Sequence, residues 1–187
     1  MLIYLHGLYS SSRSLKGALL RTRLAPLEVR AVDYPAHQPD AAVECLMDYF
    51  AGLGDTNPAV VGSSMGGFYG QYIARHFALS HLFMINPALT PWTLTNVGLD
   101  EATIQKTRAY GIDQPCDGIA TTLFLNTGDE VIDYRIAERI YSDCGRLFIW
   151  QGGDHAFQHM DAAIEVIRTH LLERADLSPG PSRAPLG

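Results

Sequence analysis

Short apolar runs alternate with longer stretches of helical character along the chain, and this alternation constrains the fold more than any other feature. The runs are 2–5 (LIYL), 28–33 (EVRAVD), 58–62 (PAVVG), 81–85 (HLFMI), 121–126 (TTLFLN) and 146–150 (RLFIW). Most are almost continuously apolar, as strands buried on both faces are. Helices are expected near 14–24, 40–53, 65–78, 133–142 and 158–174, with Asp40 as the cap of the second and Glu44 in its first turns. Strands separated by helices imply right-handed crossovers, hence an α/β fold with a mostly parallel six-stranded sheet covered on both faces. A chain of 187 residues suits one domain with one sizeable core, expected over 1–175.

Two segments depart from the rhythm. Residues 87–120 hold no convincing strand and include Pro87, Pro91, Gly98, Gly111 and Pro115. So long a connection inside a compact domain is usually functional, and a lid-like insertion is expected there. Short helices over the carboxyl edge of the sheet should line a shallow acyl pocket with Leu89, Trp92, Leu94 and Leu99. The last stretch, 176–187 (DLSPGPSRAPLG), has the Pro/Gly/Ser composition of a disordered tail.

Composition narrows the function classes. The net charge is −6 and the basic residues are scattered, so no nucleic acid or anionic membrane is recruited electrostatically. No run approaches the ~20 apolar residues of a membrane span. The opening Met1-Leu2-Ile3-Tyr4-Leu5 reads as a strand rather than a leader, which points to the cytoplasm. Cys45, Cys116 and Cys144 form no CxxC pair, which argues against a disulfide framework and against a zinc site; they are expected as packing residues.

The segment most informative about chemistry is Gly62-Ser63-Ser64-Met65-Gly66, a G-x-S-x-G directly after an apolar strand and before a helix. That is the context of a nucleophile elbow, whose turn is too tight for side chains two residues either side of the serine. The glycine spacing selects Ser64 over Ser63, since Ser63 would be flanked by Val61 and Met65. Gly66, Gly70 and Ala74 then give the following helix a smooth face.

A serine hydroxyl needs a base, and the base an orienting acid. Of seven histidines, His155 sits in Gly152-Gly153-Asp154-His155 just after the last strand, on a loop at the same sheet edge as Ser64. His159 is its nearest competitor, His170 is placed on the solvated side of the last helix, and His37 lies in a loop. For the acid, Asp129 follows the fifth strand, one strand before the histidine loop, and is preferred to Asp154, whose side chain would have to face its own neighbour. The order Ser…Asp…His is that of α/β-hydrolases.

An oxyanion needs two backbone donors. Met65, after the nucleophile, should supply one and the His6-Gly7-Leu8-Tyr9 loop the other, through Leu8 or Tyr9. With strand order 2-1-3-4-5-6 that loop lies beside the elbow, and Gly7 lets the backbone turn inward. His6 reads as a residue that fixes the loop.

YLHGLYSS near the start, VGSSMGGFY at the elbow, INPA at 85–88, TGDEVIDYR at 127–135 and GGDHAF at 152–157 together resemble the small YqiA-like esterases of the α/β-hydrolase superfamily. The resemblance covers about the first 170 residues. It implies an α/β-hydrolase fold, a triad of Ser64, Asp129 and His155, and cofactor-free cytoplasmic hydrolysis of short-chain acyl esters or thioesters. Residues 89–120 depart from the relatives, which leaves acyl preference open. Two rivals remain at this stage: an acyl-CoA thioesterase or acyltransferase using the same triad, and a non-catalytic hydrolase-like binding scaffold.

Overall fold

The six apolar runs become the six strands of one sheet in the computed structural model of the chain, which describes residues 1–95, 97–112, 115 and 118–176, the last three by backbone alone. The strands are β1 Leu2–Leu5, β2 Val29–Val32, β3 Ala59–Ser63, β4 His81–Ile85, β5 Thr121–Asn126 and β6 Arg146–Trp150. Their order is β2-β1-β3-β4-β5-β6, and every adjacent pair is parallel. This is the expected order, with β1 and β3 adjacent where the winding reverses.

The helices are α1 Leu15–Arg23, α2 Pro39–Ala51, α3 Met65–His76, α4 Glu101–Lys106, α5 Tyr134–Tyr141 and α6 Met160–Asp176. Successive side chains on a strand point to opposite faces, so each central strand feeds two cores. Ile3, Leu5, Val60, Leu82, Met84, Leu123 and Leu125 meet α2, α3 and α5 through Val43, Leu46, Phe68, Ile73, Ala137 and Tyr141. Leu2, Tyr4, Val61, Phe83 and Phe124 face the other way, onto Leu20 and Leu24 and onto Ile164 and Ile167 of α6.

Local chemistry explains where these helices start. The Ser14 hydroxyl accepts the Gly17 N–H at 3.2 Å and opens α1. At α2 the expectation is corrected: Pro39, with its preset φ, begins the helix, and Asp40 lies inside the first turn rather than at the cap. The Asp133 carboxylate accepts the Arg135 N–H at 3.0 Å and caps α5.

The described part of 87–120 does form short helices: a 3-10 turn at Pro91–Thr93, then α4, then a second 3-10 turn at Thr107–Tyr110. Their apolar side chains lean on α2 and α3. Trp92 packs edge-on to Phe68, Tyr110 edge-on to Tyr72, and the Tyr110 hydroxyl donates to Asp40 at 2.6 Å.

Two further expectations are corrected. His170 is not on a solvated side; its ring lies 4.0 Å from that of His81 and edge-on to Phe83. Cys144, expected as a packing residue, is disulfide-bonded, a pairing that separation along the chain does not reveal; Cys45 is a free thiol, and Cys116 lies outside the described residues. The expected tail likewise falls outside them beyond Asp176, through which α6 continues. Among the described residues no helix is long and apolar enough to cross a membrane.

Candidate active site

The elbow forms because β3 passes into α3 with a single residue, Ser64, between them. Ser64 has φ 54° and ψ −119°, a region an L-residue occupies only under constraint. The constraint is backbone crowding. A Cβ on Gly62 would lie 2.3 Å from the Gly66 carbonyl oxygen, and one on Gly66 would lie 2.1 Å from the Leu5 carbonyl oxygen. Only glycine fits at either place, and the two glycines fix the serine between them.

His155 reaches this serine from the loop after β6, with Nε2 3.1 Å from Ser64 Oγ and Nδ1 2.8 Å from an Asp129 carboxylate oxygen. With the ring proton on Nδ1 and donated to the carboxylate, Nε2 is left to accept the serine proton. The Asp129 side chain is 1% exposed and that of His155 25%, so the carboxylate is sealed and the imidazole faces the cleft. The other Asp129 oxygen accepts the N–H groups of Val131 and Ile132, both at 2.9 Å, which locks its rotamer.

The rival residues are occupied elsewhere. Asp154 accepts the Ala156 N–H at 2.7 Å, and its hydrogen bond with Gln158 holds its carboxyl below the usual range. His159 faces Asn126 at 2.9 Å and stacks on Trp150.

Several residues that position the His155 loop were not singled out from the sequence. Glu130 accepts the His155 backbone N–H at 3.0 Å. Asn86 and Asn126, at the carboxyl ends of β4 and β5, are buried and both donate to the Asp154 carbonyl at 3.2 Å. The sequence offers one signal for them, a polar residue at the carboxyl end of a strand, where a buried amide must have a partner; it does not say which partner.

The structure brings the first-strand loop to the elbow. A Cβ on Gly7 would lie 3.0 Å from Ser64 Cβ, and Gly7, Leu8, Ser64, Met65 and His155 line one cleft of about 840 Å³. Met65 opens α3, and N–H groups in a helix's first turn have no intrahelical acceptor. Between the two candidates from the loop, Leu8 lines the cleft, whereas Tyr9 turns out to donate its hydroxyl to Gly98 and to stack on His37. His6 braces the loop: its Nδ1 lies 2.9 Å from the Gly7 carbonyl, its ring stacks on Tyr34, and the Tyr34 hydroxyl donates to its carbonyl. Burial lowers the His6 imidazole below its usual value.

The expected acyl-pocket residues are largely not at the cleft. Leu94 lines it, joined by Val97, but Leu89 is core and Trp92 packs against it. Leu99 lines a separate depression beside Tyr9 and His37. The physical reason is that Leu89 and Trp92 are spent on the core that α2 and α3 cover. The opposite wall is α1, through Leu15, Lys16 and Leu19, and the start of α6, through Met160. Among the described residues no cluster of three or more His, Cys, Asp or Glu is arranged to hold a metal ion.

With this geometry in view, comparison with known proteins is informative. A family model described as "Uncharacterised protein family (UPF0227)" matches residues 1–171. Among solved structures, the α/β hydrolase domain-containing protein 10 from mouse superposes with a TM-score of 0.75 at 15% identity, over 95% of this chain and 90% of that one. Est1E from Butyrivibrio proteoclasticus gives 0.72 at 16%, over 94% and 88%. A monoacylglycerol lipase from Paleococcus ferrophilus gives 0.72 at 16%, over 92% and 93%. At these identities the likeness establishes the α/β-hydrolase fold and nothing finer.

Proposed function

The chain belongs to this uncharacterised family, UPF0227, the YqiA-like family, and from that premise we propose that it is a serine hydrolase cleaving carboxylic esters through Ser64, His155 and Asp129. The observation that carries the reading is the unbroken hydrogen-bond chain from Ser64 Oγ through His155 to Asp129, at 3.1 and 2.8 Å, opening on the cleft.

The chemistry follows from the geometry. Ser64 Oγ attacks the ester carbonyl carbon while His155 Nε2 takes its proton, and Asp129 steadies the imidazolium that forms. The carbonyl oxygen becomes an oxyanion held by the backbone N–H groups of Met65 and Leu8. Collapse breaks the bond to the alcohol, which leaves with the proton from His155 and leaves the acyl group on Ser64. Water enters, gives a proton to His155 and attacks the acyl carbon; the acid departs and Ser64 recovers its proton. The positive end of α3 behind Met65 favours each oxyanion.

Hydrolysis of p-nitrophenyl butyrate tests the proposal. Wild-type protein should release p-nitrophenol, Ser63→Ala should retain most of that activity, and folded Ser64→Ala should have none. Equal losses in the two variants would contradict the elbow assignment.

A further inference from the structure

We infer that Lys16 is a specificity residue that binds an anionic group, carboxylate or phosphate, carried by the ester a few bonds away from the reacting carbonyl. The inference rests on the ester-hydrolase reading for the identity of the reacting group, and on the structure for the anion.

Among the described residues, four acidic or basic side chains other than the imidazole of His155 line the cleft: Lys16, Arg23, Glu130 and Asp161. Three are engaged. Arg23 pairs with Asp161 at 3.0 Å, and Glu130 accepts the His155 N–H. Lys16 has neither a hydrogen bond nor an ion pair among the described residues, although it is half-buried.

Its position is also unfavourable for the protein alone. Lys16 is the second residue of α1, whose first turn contains no acidic residue, so its ammonium sits at the positive end of the helix dipole. Burial draws its pKa down, and the Asp154 and Asp129 carboxylates, which favour the charged form, only partly offset this. A lysine placed against both desolvation and a helix dipole is costly unless an anion arrives.

The surroundings set where that anion lies. Ser10 and Ser14 line the same cleft as Lys16, and the apolar Leu15, Leu19 and Leu94 line it as well. A ligand would therefore place its ester at Ser64, apolar carbons along the leucines and its negative end at Lys16. An acid with a second carboxylate and an alcohol carrying a phosphate both meet this description.

Binding to catalytically inert Ser64→Ala protein separates this inference from the esterase reading, because no turnover is required. Two pairs of probes distinguish the anion's source. Butyryl p-nitrophenyl ester is compared with mono-p-nitrophenyl glutarate, whose acyl chain ends in a carboxylate, and 1-butyrylglycerol with 1-butyrylglycerol 3-phosphate. In at least one pair the anionic ester should bind about tenfold more tightly, the size expected of one charge-assisted hydrogen bond in a partly exposed site. The ratio should fall towards one when Lys16→Met is added, return with Lys16→Arg, and shrink as salt is raised. A ratio near one in both pairs, or a preference that survives Lys16→Met, would overturn the assignment.

Discussion

Asp129 holds His155 with one carboxylate oxygen, at 2.8 Å from Nδ1, and its own loop with the other, at 2.9 Å from the N–H groups of Val131 and Ile132. One side chain thus orients the imidazole and fixes the shape of its own turn. Asp129→Asn can keep the two backbone bonds but turns an amide donor towards Nδ1, which favours the wrong tautomer. We expect kcat to fall by about three to four orders of magnitude with little change in KM. Asp154→Asn, whose side chain serves only its own loop, should remain close to wild type. The reverse ranking in steady-state kinetics would mean that Asp154 is the acid.

Ser64 carries backbone strain for the sake of its position, with φ 54° and ψ −119°. Glycine adopts such angles without penalty, so Ser64→Gly should be inactive yet more stable than Ser64→Ala by about 1 kcal/mol in urea unfolding, the low end of the strain at such sites. A Gly variant less stable than the Ala variant would show that the angles cost nothing.

Chain-length preference should follow Leu94 rather than Trp92. Leu94 lines the cleft, whereas Trp92 packs on Phe68 and stacks with the Arg108 guanidinium at 5.5 Å. On a p-nitrophenyl ester series, Leu94→Ala should move the optimum of kcat/KM to longer acyl chains, each added methylene being worth up to about 0.8 kcal/mol where it is buried. Trp92→Ala should lower Tm and leave the optimum unmoved. An optimum that shifts with Trp92 alone would return that residue to the pocket.

How much of this was legible in the sequence varies with the physics. Strands buried on both faces are conspicuous because a dry interior favours apolar side chains and admits polar ones only with partners, and β1 and β3 to β5 lie where the apolar runs do. The tight turn at Ser64 was legible because crowding at Gly62 and Gly66 admits no side chain. Pocket residues were not, because apolarity does not say which face of a segment is covered: Leu89 and Trp92 satisfy the core, Leu94 the cleft. Lys16 was invisible because a lysine on an amphipathic helix is ordinarily a solvated one. Asn86 and Asn126 required knowing that the His155 loop folds back over both strand ends.

The buried His6 supplies a pH signature of stability. Burial holds its imidazole below the ordinary value, so the unfolded chain takes up a proton that the folded one resists. Its contribution is present above about pH 6.5 and is lost as pH falls from there through the lower folded value. The decline in Tm between about pH 7 and pH 5 should therefore be smaller in His6→Gln than in wild type. Parallel Tm profiles for the two proteins would contradict this.

The central claim is that Ser64 is the nucleophile, activated by His155, which lies 3.1 Å away. A fluorophosphonate reacts covalently with an activated serine and leaves a mass tag that peptide mapping locates. The tag is expected on Ser64 alone, at a rate that falls sharply in His155→Gln and not in Ser63→Ala. A tag on Ser63, or labelling of Ser64 that is as fast without His155 as with it, would contradict the account.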